Sequence, residues 1–257
     1  MPRTPSSTRF PLTVQPRGLR SYVWRLRDTL ALLAMLVVAQ GLVVAAHDSI
    51  MQGWHHMLAW AWPRLDLGSA ELVAWGATDV AGISLPLVVV QLPMPAPGPL
   101  AAIFTGYLAG VLWLFSYLLP QDGLPLRYFL RLAGLLCAAS VLGWLWLPPG
   151  SGMSPQAVVN QLLMLGMGLL WCIPLLHALV LYIFPLPLGR QFMATVHALA
   201  LVALSVPLQA GAIAWLLVHT NSLMVLPLYL LATFLPQVVI QLGLYGYFVS
   251  HTPHPAH

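Results

Sequence analysis

Residues 70–91 read AELVAWGATDVAGISLPLVVVQ, a stretch apolar enough to pass for a membrane span, and its reading decides how often the chain crosses. Arginine placement resolves it. Without this span, and with the N-terminus inside, Arg3, Arg9, Arg17, Arg20, Arg25, Arg27, Arg127, Arg131 and Arg190 share the cytoplasmic side. Arg64 alone lies opposite. That asymmetry is what the positive-inside rule requires. Counting 70–91 as a span moves Arg127, Arg131 and Arg190 across and puts Asp79 near mid-bilayer, at a cost of a few kcal/mol. The segment is therefore read as non-spanning.

Composition makes lipid the solvent for the rest. Of 257 residues, 60% are apolar and 6% charged, with a mean hydropathy of +0.85. A soluble domain carries about 25% charged residues. Six stretches reach the roughly 20 apolar residues that a spanning helix needs: 29–46, 100–119, 129–148, 158–184, 192–219 and 222–249. The expected fold is an all-α polytopic membrane protein with six transmembrane helices and both termini cytoplasmic. Residues 1–28 form a basic, partly disordered tail and 29–257 one membrane domain, with an extracytoplasmic insert at 47–99. The apolar run at 29–46 exceeds a signal-peptide core, so it reads as an uncleaved signal anchor. The expected location is a bacterial inner membrane, the bacterial origin resting on the use of Arg without Lys.

The insert carries two features. HDSIMQGWHHMLAWAW (47–62) has helical periodicity. Ile50, Trp54, Met57 and Leu58 fall on one face, and Asp48, Gln52, His55 and His56 on the other. It reads as an interfacial helix with Trp54, Trp60 and Trp62 at headgroup level. His47, Asp48 and His55 are the candidate metal ligands, for copper or zinc. A solvated polar face is the bland alternative. ISLPLVVVQLPMPAPGP (83–99) then reads as an extended edge strand, because its prolines bar a central one. Such an edge can dock another chain, or serve as a tether.

Within the spans, chemistry is sparse. Spans two to six have no charged residue in their interiors, which disfavours an ion-driven carrier. No paired aspartates, HExxH or serine–histidine arrangement with an oxyanion loop appears. Gln209, Thr233, Gln237, Gln241 and Tyr245 remain, the last four spaced every fourth residue along span six. They read as interhelical hydrogen-bonding contacts or as the wall of a polar path.

His177 and His197 flank the turn around Pro187 at matched distances, both roughly 10 Å below the inner surface. Equal depth on adjacent helices suits a bis-imidazole b-type haem, or a quinone. Any tight hairpin also matches depths, so two separately satisfied histidines are the rival reading.

The leading expectation is a non-catalytic integral subunit serving as scaffold, anchor or conduit for export, assembly or electron transfer. Its partners would be membrane lipids and other membrane or periplasmic subunits, not nucleic acid. The alternatives are a small haem b or quinone protein on His177 and His197, and a facilitator or lipid-handling protein.

Overall fold

The structure, a computed structural model, describes residues 26–80, 83–92, 94, 96–120, 123–147, 154–181 and 188–250. The basic tail, the turn at 182–187 and the loop at 148–153 lie outside these residues, so the readings made there are not addressed. Six helical stretches are long and apolar enough to cross a membrane. They are carried by α1 (Leu26–Arg64), α2 (Pro99–Leu118), α3 (Leu124–Trp146), α4 (Pro155–Leu181), α5 (Leu188–His219) and a composite sixth. The sixth comprises α6 (Val225–Leu228), a π-helical turn (Tyr229–Phe234) and α7 (Leu235–Ser250). Strands β1 (Val73–Val80) and β2 (Ile83–Val90) form one antiparallel hairpin. The disputed segment is thus a hairpin and not a seventh helix.

The helix break anticipated at residue 47 is absent. Met51, Trp54, Leu58 and Trp62 recur at helical spacing and are buried in one core with α4 and α5. Burial there outweighs any preference for the interface, so α1 runs on for 39 residues. At 1.5 Å per residue it is about 58 Å long, against a hydrocarbon layer of about 30 Å. Trp54 and Trp62, expected among headgroups, are 1% and 0% exposed. Trp60 stays at the surface, with the Arg64 guanidinium 4.2 Å from its ring centre. Asp48, Gln52 and His56 are exposed as expected.

Trp54 fits because position 166 on α4 is glycine. A Cβ there would lie 2.5 Å from Val206 Cγ1 and 2.9 Å from the Trp54 ring. In α2 and α3, Gly134 plays the same part: its Cβ would approach the Ala109 carbonyl oxygen to 3.0 Å. Arg127 closes that helix pair by donating to the Leu119 carbonyl at the end of α2, 2.5 Å away. Arg131 adds a bond to Ser116 Oγ at 3.2 Å and lies over Tyr117. The pair meets the other helices around residues 221–228, where Thr105 Oγ1 donates to Asn221 Oδ1 at 3.2 Å.

The helix prolines leave carbonyls without donors, since proline has no N–H for the residue four before it. Two of these carbonyls find replacements on other helices. Trp54 Nε1 donates to Ala203 O, the carbonyl orphaned by Pro207, at 2.7 Å. Gln209 Nε2 donates to Ala232 O, the carbonyl orphaned by Pro236, and also to Thr233 O at 3.1 Å.

Candidate functional site

The hairpin lies along the bundle's flank, not beyond its end. At the top of β2, the side-chain amide of Asn160 accepts from Val90 N at 2.9 Å and donates to Val90 O at 3.1 Å. It thereby imitates a neighbouring strand. His47 on α1 donates from Nε2 to Pro86 O at 3.3 Å, and its ring centre lies 6.1 Å from that of Trp171 on α4. His55 donates from Nε2 to Val73 O at 3.2 Å and stacks on Trp75, with ring centres 4.9 Å apart.

These bonds fix which backbone groups point outward. Gln91 N bonds Leu72 O at 2.8 Å, so the next pair, Val73 with Val90, turns its main-chain groups away from the hairpin centre. The same holds for Trp75–Val88, Ala77–Pro86 and Asp79–Ser84. Pro86 is tolerated because its missing N–H would have faced outward. α1 crosses the hairpin diagonally, from the outer edge of β2 at Pro86 (through His47) to the outer edge of β1 at Val73 (through His55). The β2 edge is thereby held by α1 at Pro86 and by α4 at Val90, with Ser84 exposed. On β1, His55 takes Val73 O and stacks on Trp75, and among the described residues no side chain bonds the outward groups of Trp75, Ala77 and Asp79. These three residues are exposed, Trp75 by 49%. The sequence reading offered the LVVVQL strand as a docking edge or as a tether; here its outward groups at Pro86 and Val90 are bonded to His47 and Asn160.

The metal trio does not assemble. His47 and His55 are eight residues apart on one continuous helix, about 12 Å along its axis, and Asp48 points about 100° away from His47. Each imidazole is engaged with a hairpin carbonyl. Among the described residues no three His, Cys, Asp or Glu side chains converge for a metal ion. Here the two histidines fasten the hairpin to α1.

Nor do His177 and His197 meet. Thr195 Oγ1 donates to Gln191 O at 2.9 Å, so it accepts from His177 Nδ1, 3.2 Å away. His197 donates from Nδ1 to Met193 O at 2.7 Å, is exposed, and packs edge-on to Phe248. Thr195 and His197 are two residues apart, about 200° around α5. The ring that docks on Thr195 and the ring of His197 therefore lie on opposite sides of one helix. That geometry does not fit a haem held between them.

The polar stripe of the sixth span does assemble in part. Gln237, 2% exposed, donates to Gln209 Oε1 at 2.8 Å and lies 3.1 Å from Ser205 Oγ. Thr233 Oγ1 donates back to Tyr229 O. Tyr245 packs beside Ala194 of α5. The Gln241 amide atoms are buried without a hydrogen-bond partner. Sequence reasoning set Gln209 against the polar stripe of span six, which contains Gln237, but did not foresee its bonds to the Ala232 and Thr233 carbonyls. It missed Asn160, Thr195 and Ser205, and also strand β1. The period-two alternation that marks β1 is weak, because Gly76 and the small residues beside it blur the pattern.

No family model, curated protein or solved structure matches this chain.

Proposed function

We propose that the chain is a non-catalytic integral subunit of a bacterial inner-membrane assembly, serving as scaffold, anchor or conduit in export, assembly or electron transfer. Both termini are read as cytoplasmic, with the arginines, and the hairpin as lying outside on the opposite face. The open β1 edge carries this reading. The hairpin runs beside the body of α4, from Asn160 to Trp171. A strand edge outside the membrane is a template for pairing with another chain. Asn160 and His47 already bond outward groups of β2, which leaves β1 at Ala77 and Asp79 for a second polypeptide. The bundle's polar groups support the same reading: His177, His197, Gln209 and Gln237 are engaged in structural bonds and so are not arranged around a reacting centre.

Purification at native expression in a mild detergent tests the proposal. A stoichiometric membrane or periplasmic partner is the expected result. A lone monomer overturns it.

A further inference from the structure

Two arginines stand one helical turn apart where α2 and α3 join. Arg127 and Arg131 are four residues apart on α3, so they share a face, with Cβ atoms about 5–6 Å apart. Both reach back to the end of α2. Arg127 donates from Nη2 to Leu119 O. Arg131 donates from Nε to Ser116 Oγ, and its guanidinium carbon lies 4.8 Å from the centre of the Tyr117 ring. These contacts hold two half-buried guanidinium groups side by side. Like charges at this spacing repel. Among the described residues no carboxylate pairs with either group. Each uses one of its several N–H donors, and the rest have no acceptor there.

These features narrow the ligand. It is an anion, because two positive charges are held together without a negative one. It carries oxygens in more than one plane, because each guanidinium is a flat fork and the two forks rise from successive turns. A planar carboxylate matches one fork, whereas a tetrahedral phosphate can serve both. Residues 119–123 join two helices of spanning length, so the pair lies toward one end of both helices, whichever membrane face that is. We propose that Arg127 and Arg131 bind one phosphate group, either the phosphodiester of an anionic lipid or free phosphate. The site belongs to the α2–α3 pair and stands whether or not the β1 edge takes a partner.

Native mass spectrometry of the full chain in an uncharged maltoside detergent tests this. The protein should retain one phosphatidylglycerol and bind phosphatidylcholine more weakly, because the choline cation opposes the arginines. Arg131→Gln should weaken the first binding event about tenfold, and Arg127→Gln with Arg131→Gln about a hundredfold. Arg3→Gln with Arg9→Gln removes the same charge from the N-terminal tail and should change nothing. If the Arg127 variant loses its helical circular dichroism, Arg131→Gln decides alone. Inorganic phosphate added to lipid-free protein separates the two sources. A phosphate adduct lost in Arg131→Gln shows that the free anion suffices, and phosphatidylglycerol binding without such an adduct shows that the lipid is required. Either result supports the site. Equal losses in the tail and Arg131 variants show general attraction to a basic chain and overturn it. Binding that appears only in Asp122→Asn makes that carboxylate the arginines' partner and overturns it, as does the absence of any bound lipid or phosphate.

Discussion

The indole of Trp54 donates to the carbonyl of Ala203, 2.7 Å away, and that carbonyl is the one Pro207 leaves without a donor. A side chain on α1 thus completes the backbone of α5. Removing the donor strands a buried carbonyl, which costs about 1–3 kcal/mol. Trp54→Phe should destabilise the protein by that amount. In a Pro207→Ala background, where the helix supplies its own N–H, the same change should cost less. A double-mutant cycle of unfolding in detergent measures the difference, and additive effects would contradict the pairing.

Gln209 and Pro236 make the same arrangement between α5 and the sixth span. Gln209→Leu should cost about 1–3 kcal/mol, and Pro236→Ala should relieve part of that cost. Gln237→Leu, which removes bonds to two neutral side chains, Gln209 and Ser205, should cost about 1–2 kcal/mol. If Gln209→Leu instead left stability unchanged while altering solute flux in proteoliposomes, the polar stripe would be a path and not a helix contact.

Asn160 holds the hairpin by standing in for a strand at Val90. Asn160→Leu removes both bonds at once and should release the upper end of β2. Amide hydrogen exchange should quicken across 73–90 and stay slow in α5, whose core residues the change does not touch. Unchanged protection in the hairpin would show that apolar packing of Val88 and Val90 holds it unaided.

His177 and His197 serve different helix contacts. Protein purified from a haem-sufficient host should therefore show no Soret shift between reduced and oxidised spectra. A shift abolished by either His177→Ala or His197→Ala would refute the assignment of these rings.

Much of the architecture was legible in the sequence because lipid imposes a simple rule. Long apolar runs announce spanning helices, and Asp79 and the arginine distribution kept 70–91 from being counted among them. The continuation of α1 was not legible. Periodicity shows that Met51, Trp54, Leu58 and Trp62 share a stripe, but not whether lipid headgroups or α4 and α5 cover it. The histidine pair shows the converse limit. Sequence spacing matches depth along a hairpin, but the rotational position of each ring is set by packing against Thr195 and Phe248. Gln209 was identifiable as a cross-helix donor from the cost of an unsatisfied amide in hydrocarbon. Its acceptor follows from Pro236 only once the helices are seen side by side.

The open edge of β1 is the account's central claim, and Ala77→Pro tests it most directly. Ala77 faces Pro86 across a pair whose main-chain groups point outward, so the substitution removes one outward N–H and spares the β1–β2 ladder. The measurement is the size and composition of the natively expressed assembly in mild detergent, wild type against Ala77→Pro. The account predicts that the wild type migrates with a stoichiometric partner and that the variant, still folded by circular dichroism, is released from it. A wild-type protein migrating alone, or a variant that keeps the partner undiminished, would contradict it.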